Sequence, residues 1–128
     1  AQIAAGADVI FTMLNSGRDG VTRACREKKV RQIGNVIDWT AIDPEVFVAS
    51  AWADVGIGAY LAVKDMKEQG APRPGIVKIG LQDPAAVRLI MGQGVSAQVR
   101  SRVEQASKAI ASGQLKVPEI YEGTEFAV

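Results

Sequence analysis

Histidine is absent from this 128-residue chain, and cysteine occurs once, at Cys25. A single cysteine excludes a disulfide framework within the chain. Without a Cys/His set, a zinc site built on those ligands is excluded too. The missing imidazole removes the commonest general base and every Ser–His or Cys–His nucleophile pair. Hydrolytic chemistry is therefore disfavoured, and no metal or cofactor is expected. Cys25 lies between Ala24 and Arg26 on a predicted helix and reads as a small buried apolar residue rather than a reactive thiol. Aromatic residues make up 5% of the chain, so an exposed one carries weight, although burial is the commoner fate of a ring. Neither sign of charge dominates: 15 basic and 14 acidic residues leave a net charge of +1. That balance gives no field for binding nucleic acid or a membrane surface. No apolar run is long enough to span a bilayer, and no signal peptide is evident. The opening residues 1–8 read as the end of a helix turning into a strand, so the chain is expected to be cut from a longer one.

What is present is a chain 48% hydrophobic, enough for one compact α/β unit and too short for two full domains. Asp8–Thr12 is a short apolar run suited to a buried parallel strand. Asn15-Ser16-Gly17-Arg18-Asp19-Gly20 carries cap residues and glycines, and a helix is predicted from there through Lys29, with Val21, Ala24, Cys25 and Lys28 on one face. Val30–Gly34 reads as the next strand, which closes a β-α-β unit of a parallel sheet. Val46–Ser50 follows as another strand. Asp54 can cap a helix to Gln69 whose apolar stripe is Val55, Ala59, Ala62, Val63 and Met66. After the Gly70–Gly75 break, a strand is predicted at Ile76–Leu81 and a short helix at Ala85–Met91. Ser96 caps a last helix to about Ser112, with Val95, Val99, Val103, Ala106 and Ile110 as its buried edge and Gly113 as its stop. Leu115–Pro118 reads as extended, and Tyr121–Val128 as a tail. The pattern is α/β, a mostly parallel sheet flanked by helices.

In open parallel sheets, ligands bind beyond the carboxyl ends of the strands. Three segments fall there: Phe11–Gly20, Asn35–Thr40 and Ser50–Asp54. They offer rings, hydroxyls, an amide and carboxylates, a set that suits a flat ligand with a polar rim. The candidate ligand-binding residues are Phe11, Thr12, Asn15, Asp38, Trp39, Ser50 and Trp52. Each has a structural alternative. Trp39 and Trp52 can be packed under loops, Phe11 can be core, and Asp38 can hold a turn through its side chain. Asn15, Ser16 and Asp54 read more readily as helix caps than as contacts, and Ser50 can bond the backbone at a strand end. Gly17–Gly20 lacks the GK[ST] ending of a phosphate-binding loop and is not GxGxxG. Asp38 and Asp43 form no recognisable catalytic pair, and no catalytic residue is assigned.

Several segments together resemble the basic-membrane-protein family of ABC-transporter substrate-binding lipoproteins, the purine-nucleoside-receptor type. They are Gly6-Ala7-Asp8-Val9-Ile10-Phe11, Gly20-Val21, the spacing Ile33-Gly34…Asp38…Pro44…Ser50, Ile79-Gly80-Leu81-Gln82-Asp83 and Ala109–Pro118. The resemblance covers nearly the whole chain. It implies a type I periplasmic-binding-protein-like architecture, here an incomplete two-lobe fold. About 1–37 and 84–128 would belong to the second lobe and about 50–80 to the first. It further implies an extracytoplasmic receptor, periplasmic or a membrane-anchored lipoprotein, that captures a nucleoside or nucleobase between two lobes and docks on an ABC permease, with no nucleic-acid partner. Val36 stands where the family often has an acidic ribose acceptor, and Ala53 where it has a lysine. A site without its acceptor rejects a ligand that needs one. The alternatives are a ligand-sensing regulatory domain of the same fold and, less favoured, a nucleoside-processing enzyme. A fragment lacking half its cleft is expected to self-associate.

Overall fold

The structure is a computed structural model that describes residues 1–118, 120 and 123. The expected tail from Tyr121 to Val128 lies, but for Gly123, outside the described residues. After a short turn at Ile3–Ala5, the elements run β1 (Val9–Phe11), α1 (Arg18–Lys28), β2 (Arg31–Val36), α2 (Trp39–Ile42), β3 (Phe47–Ala53), α3 (Ile57–Gln69), β4 (Val87–Met91) and α4 (Ala97–Ala111). The four strands form one sheet in the order β1-β2-β3-β4. The first three are parallel and β4 is antiparallel to β3. The fold is thus α/β with a mostly parallel sheet flanked by helices.

The β1-α1-β2 crossover forms where the apolar runs predict it. Lys29, at φ 56°, ends α1 in a left-handed turn, and its N–H bonds back to Arg26 and Cys25. The core gathers Ile10, Cys25, Val30, Val46 and Phe47, with Val21 and Trp39 packed against it. Cys25 is fully buried, as the sequence suggests, and burial pushes its thiol pKa up. β1 is exposed, buried, exposed along Val9-Ile10-Phe11. Only Ile10 of these three meets the core, and the opposite face over β1 is open. Between β2 and β3 the register slips: Gln32 pairs with Phe47 but Ile33 with Ala49, so Val48 is the extra residue of a bulge.

The second half departs from the sequence reading. Ile76–Leu81 forms no strand. An apolar run becomes a strand only where a neighbouring edge takes its backbone groups, and no edge does so here. Ala85–Met91 is not a short helix. Val87–Met91 pairs along Ala49–Ala53 as β4, and the turn before it is held by Asp83, whose side chain accepts from Ala85 N at 3.1 Å. The alternation of Val87, Leu89 and Met91 with Arg88 and Ile90 fits a strand as well as a helix over so few residues. Leu115–Pro118 joins no ladder, and the chain bends at Leu115. Ser96 caps α4 as predicted, accepting from Val99 N.

The expected burial of the two long helices also differs. In α3, Tyr60, Val63 and Met66 are exposed, as is Val55 before it, while Asp65 is buried. Val103 and Ile110 of α4 and Val95 before it are half-buried, but Val99 and Ala106 are exposed. The chain exposes 9773 Å², whereas a compact monomer of this length exposes about 6,600 Å². Eight fully extended residues would account for at most about 1,300 Å² of that excess. Val55, Tyr60, Val63 and Met66 are among the exposed apolar residues of this surface, and such exposure favours association. The isolated chain is therefore expected to sediment as a dimer or larger at micromolar concentration. A concentration-independent monomer in sedimentation velocity would contradict this.

Asp65 is held by the loop that follows α3. Arg73 donates to it through Nε at 2.6 Å, Nη2 at 2.8 Å and its backbone N–H at 3.2 Å. These side-chain bonds lower the Asp65 carboxyl pKa to about 2, against the opposing effect of burial. A depressed carboxyl stabilises the fold above its ordinary pKa and stops doing so as pH falls through the folded value. The loop closure is therefore expected to persist at pH 4 and to be lost near pH 2. The Arg73 Nε–H resonance followed by NMR should titrate with a midpoint near 2, and a midpoint near 4 would contradict the pairing.

Candidate functional site at the carboxyl ends of the strands

The seven candidate residues fall into distinct settings. Thr12 is buried, and its hydroxyl accepts from Gln32 Nε2 at 3.0 Å. Gln32 in turn accepts from Thr22 at 3.1 Å, so a chain of hydrogen bonds ties β1 and α1 to β2. Ser50 is fully buried and donates to the Ile37 carbonyl at 2.6 Å. Asp38 accepts from Thr40 N at 3.0 Å and Thr40 Oγ1 at 2.6 Å, which starts α2. Asn15 is exposed, and its backbone carbonyl accepts from Arg18 N. Gly17 rather than Asn15 or Ser16 stands at the cap position of α1. Phe11 is 55% exposed on the face opposite Ile10, so it is not core. Asp54 turns the chain into α3 by accepting from Gly56 N at 2.9 Å.

Trp39 serves the interior. Its indole donates to Asn35 O at 3.0 Å and stacks on Phe47 with ring centroids 5.3 Å apart. Arg18 lies 4.1 Å over the same indole and donates to Leu14 O and to Asn35 Oδ1. Arg18 Nε is buried with no partner among the described residues. The indole can lie this close to β2 because position 34 is glycine. A Cβ there would stand 2.7 Å from Trp39 Cγ and 2.9 Å from its Cβ.

Trp52 differs from Trp39. It is half-buried near the end of β3 and lines a cavity of about 430 Å³ with Met13, Asn35, Val36, Leu81 and Arg88. The cavity lies at the carboxyl ends of β2 and β3, where parallel sheets place their ligands. Val36, Trp52 and Arg88 form one row across β2, β3 and β4. Arg88 stacks 3.8 Å over the Trp52 ring, and its Nη1 donates to Pro84 O at 3.0 Å. Val36 has φ +72°, a conformation that is strained for a β-branched residue and is found disproportionately at binding sites.

A cavity of about 540 Å³ lies between α2 and the end of β4, lined by Arg31, Asp38, Thr40, Pro44, Phe47 and Gly92 among others. Two of its polar groups are committed within the chain, Asp38 to Thr40 and Arg31 to the Glu45 carbonyl. Asp38 and Ser50 meet at the Ile37 turn and Trp52 lies two residues further along β3, but of the seven candidates it is Trp52 that lines the cavity at the strand ends. The sequence reading missed Arg88 because it placed that residue on a helix, and it missed Asn35. The alternation Val87-Arg88-Leu89 beside a tryptophan-bearing strand was the available signal for Arg88.

Gly34→Ala is expected to destabilise the fold by about 1–3 kcal/mol, because the wedged indole has no room to yield. An unchanged denaturation midpoint would show that Trp39 is loosely held.

No family model matches the chain, and no curated protein matches it significantly. Solved structures do. A transcriptional activator of the comK gene from Bacillus halodurans superposes with a TM-score of 0.75 at 19% identity, over 89% of this chain and 40% of that one. An ABC-transporter solute-binding protein from Aeropyrum pernix K1 superposes with a TM-score of 0.74 at 20% identity, over 94% of this chain and 43% of that one. The fold is thus shared with both, and the chain spans about two-fifths of their length.

Proposed function

We propose that this chain is part of the substrate-binding component of an ABC importer, with Trp52 in the wall that meets the solute. The carrying observation is the Trp52 cavity: an apolar hollow with a strained backbone at its rim, at the strand ends of a fold shared with a solute-binding protein. The solute is a small flat molecule of the nucleoside or nucleobase class. Its ring rests on apolar surface while a few fixed polar groups read its edge. Capture rather than chemistry fits the residues, because the cavity walls hold no nucleophile paired with a base. In the complete protein a second lobe faces this wall, and ligand favours the closed form through its greater affinity for it. The work is extracytoplasmic, ahead of a membrane permease.

The likeness to a transcriptional activator favours a second reading, a ligand-sensing regulatory domain. Fold alone does not separate the two. Two measurements do. Isothermal titration of the chain with neutral and charged nucleosides and nucleobases should find a ligand whose affinity drops at least tenfold in Trp52→Ala. Deleting the gene that encodes the chain should then abolish cellular uptake of that ligand in labelled form. Intact uptake with altered transcription would favour the sensor, and Trp52→Ala without effect on any bound ligand would remove the cavity from the account.

A further inference from the structure

α3 presents two faces of different character. One is closed by the chain itself. Leu61 and Asp65 meet Pro72, Arg73, Val77 and Ile79 of the return segment across a hollow of about 120 Å³, and Arg73 pins Asp65 there. The other face carries Ala59, Val63 and Met66, with Val55 just ahead of the helix and Ala62 between the two faces. Val55, Val63 and Met66 are each more than half exposed, and Ala59 and Ala62 are exposed as well. Positions 55, 59, 62 and 66 recur at the four- and three-residue spacing that sets side chains in one row along a helix. The row holds no charge, because Lys64, Lys67 and Glu68 fall at other angles around the axis. A helix face that meets only water is ordinarily polar, and contiguous exposed apolar surface marks an interaction site.

We propose that this row is the seam of a homodimer, in which two copies pack α3 against α3, antiparallel about a two-fold axis. A two-fold interface needs a self-complementary patch, and the row reads the same by size in both directions. Val55 and Met66 are large and outermost, and Ala59 and Ala62 are small and central. With the helices antiparallel, Val55 of each copy lies level with Met66 of the other, and Ala59 with Ala62. The central alanines let the axes approach to about 8 Å, the close end of helix packing. Asp54, ahead of each α3, comes level with Lys67 of the other copy, so the charges at the two ends of the seam are opposite in sign. Tyr60 and Val63 lie on one rim of the row and meet their counterparts there. The area is sufficient. After allowance for an extended tail, the chain exposes about 1,900 Å² more than a compact monomer, and a stable interface takes about 800 Å² from each partner. The pairing does not rest on the capture reading, although Val55 also lines the Trp52 hollow, so the seam begins beside that wall.

Sedimentation velocity of the full chain over a range of micromolar concentrations tests this. Ala59→Glu sets like charges against each other at the centre of the seam. It spares the monomer, because position 59 is exposed and glutamate is a good helix former. The dissociation constant should rise by about tenfold or more. Lys64→Glu, on another side of α3, should leave it within about twofold of the wild type. A short bis-maleimide should join Ala59→Cys to its counterpart in the other copy, since both stand close to the axis, and should not join Lys64→Cys. The native Cys25 is fully buried and gives little background. Circular dichroism checks that each variant folds, and if Ala59→Glu does not, the cross-linking decides. A dimer unmoved by Ala59→Glu, or one in which Ala59→Cys stays unjoined, overturns the seam and points to the open edges of β1 and β4. A monomer at every concentration overturns the dimer itself.

Discussion

The pairing of β3 with its two neighbours is the constraint on which the other features depend. β3 is parallel to β2 on one side and antiparallel to β4 on the other, so it fixes the height of every residue in the sheet. The bulge at Val48 sets that height. Beyond it Gly34 faces Ser50, and Val36, Trp52 and Arg88 fall in one row. A one-residue slip would turn every later side chain of β3 to the other face. Ser50 would then lose the Ile37 carbonyl, and Trp52 would leave the cavity. The bulge therefore belongs to the site as much as to the fold.

Around this seam the molecule is unevenly covered. The face that carries Ile10, Phe47 and Gly34 is sealed by α1, α2 and the Trp39 ring, and its buried polar groups are bonded to one another through Thr12, Gln32 and Thr22. Hydrogen bonding inside that face holds the strands in place, because an unpaired polar group there would destabilise the fold. On the other side Phe11 meets solvent, and Tyr60, Val63 and Met66 of α3 are exposed as well. The two tryptophans are also held differently. Trp39 is held by a hydrogen bond, a ring and a glycine, while Trp52 has only an arginine laid over it.

Much of the first half was legible in the residues. The apolar runs at Asp8–Thr12 and Val30–Gly34, separated by a helix with a basic last turn, specify a parallel crossover almost without alternatives. Cys25 reads as core and is core, and the Ser96 cap was visible from its residue type. The second half was legible only in part. Val87–Met91 has too few residues for periodicity to separate strand from helix, and the free edge of β3 decided it. Ile76–Leu81 has strand composition but pairs with neither open edge, β1 or β4. Among the candidate ligand contacts, residue type said that Asp38 and Ser50 could bond a ligand or the backbone, and it did not say which. The backbone offers those partners at fixed distance, 2.6 Å for the Ser50 hydroxyl on Ile37 O, and such short local bonds form without any ligand.

By itself, the sequence determined the chemical repertoire and the fold class. Without histidine and with one buried cysteine, zinc sites of Cys and His and imidazole-based catalysis lie outside the repertoire, and alternating apolar runs and amphipathic helices build a mostly parallel α/β sheet. Only the tertiary structure decided which tryptophan is available. Two rings of the same kind, thirteen positions apart, differ because one falls over a glycine against Phe47 and the other at the end of a strand beside Arg88. That difference is set by strand register and close approach. These are relations between residues distant in the chain, and local pattern does not encode them.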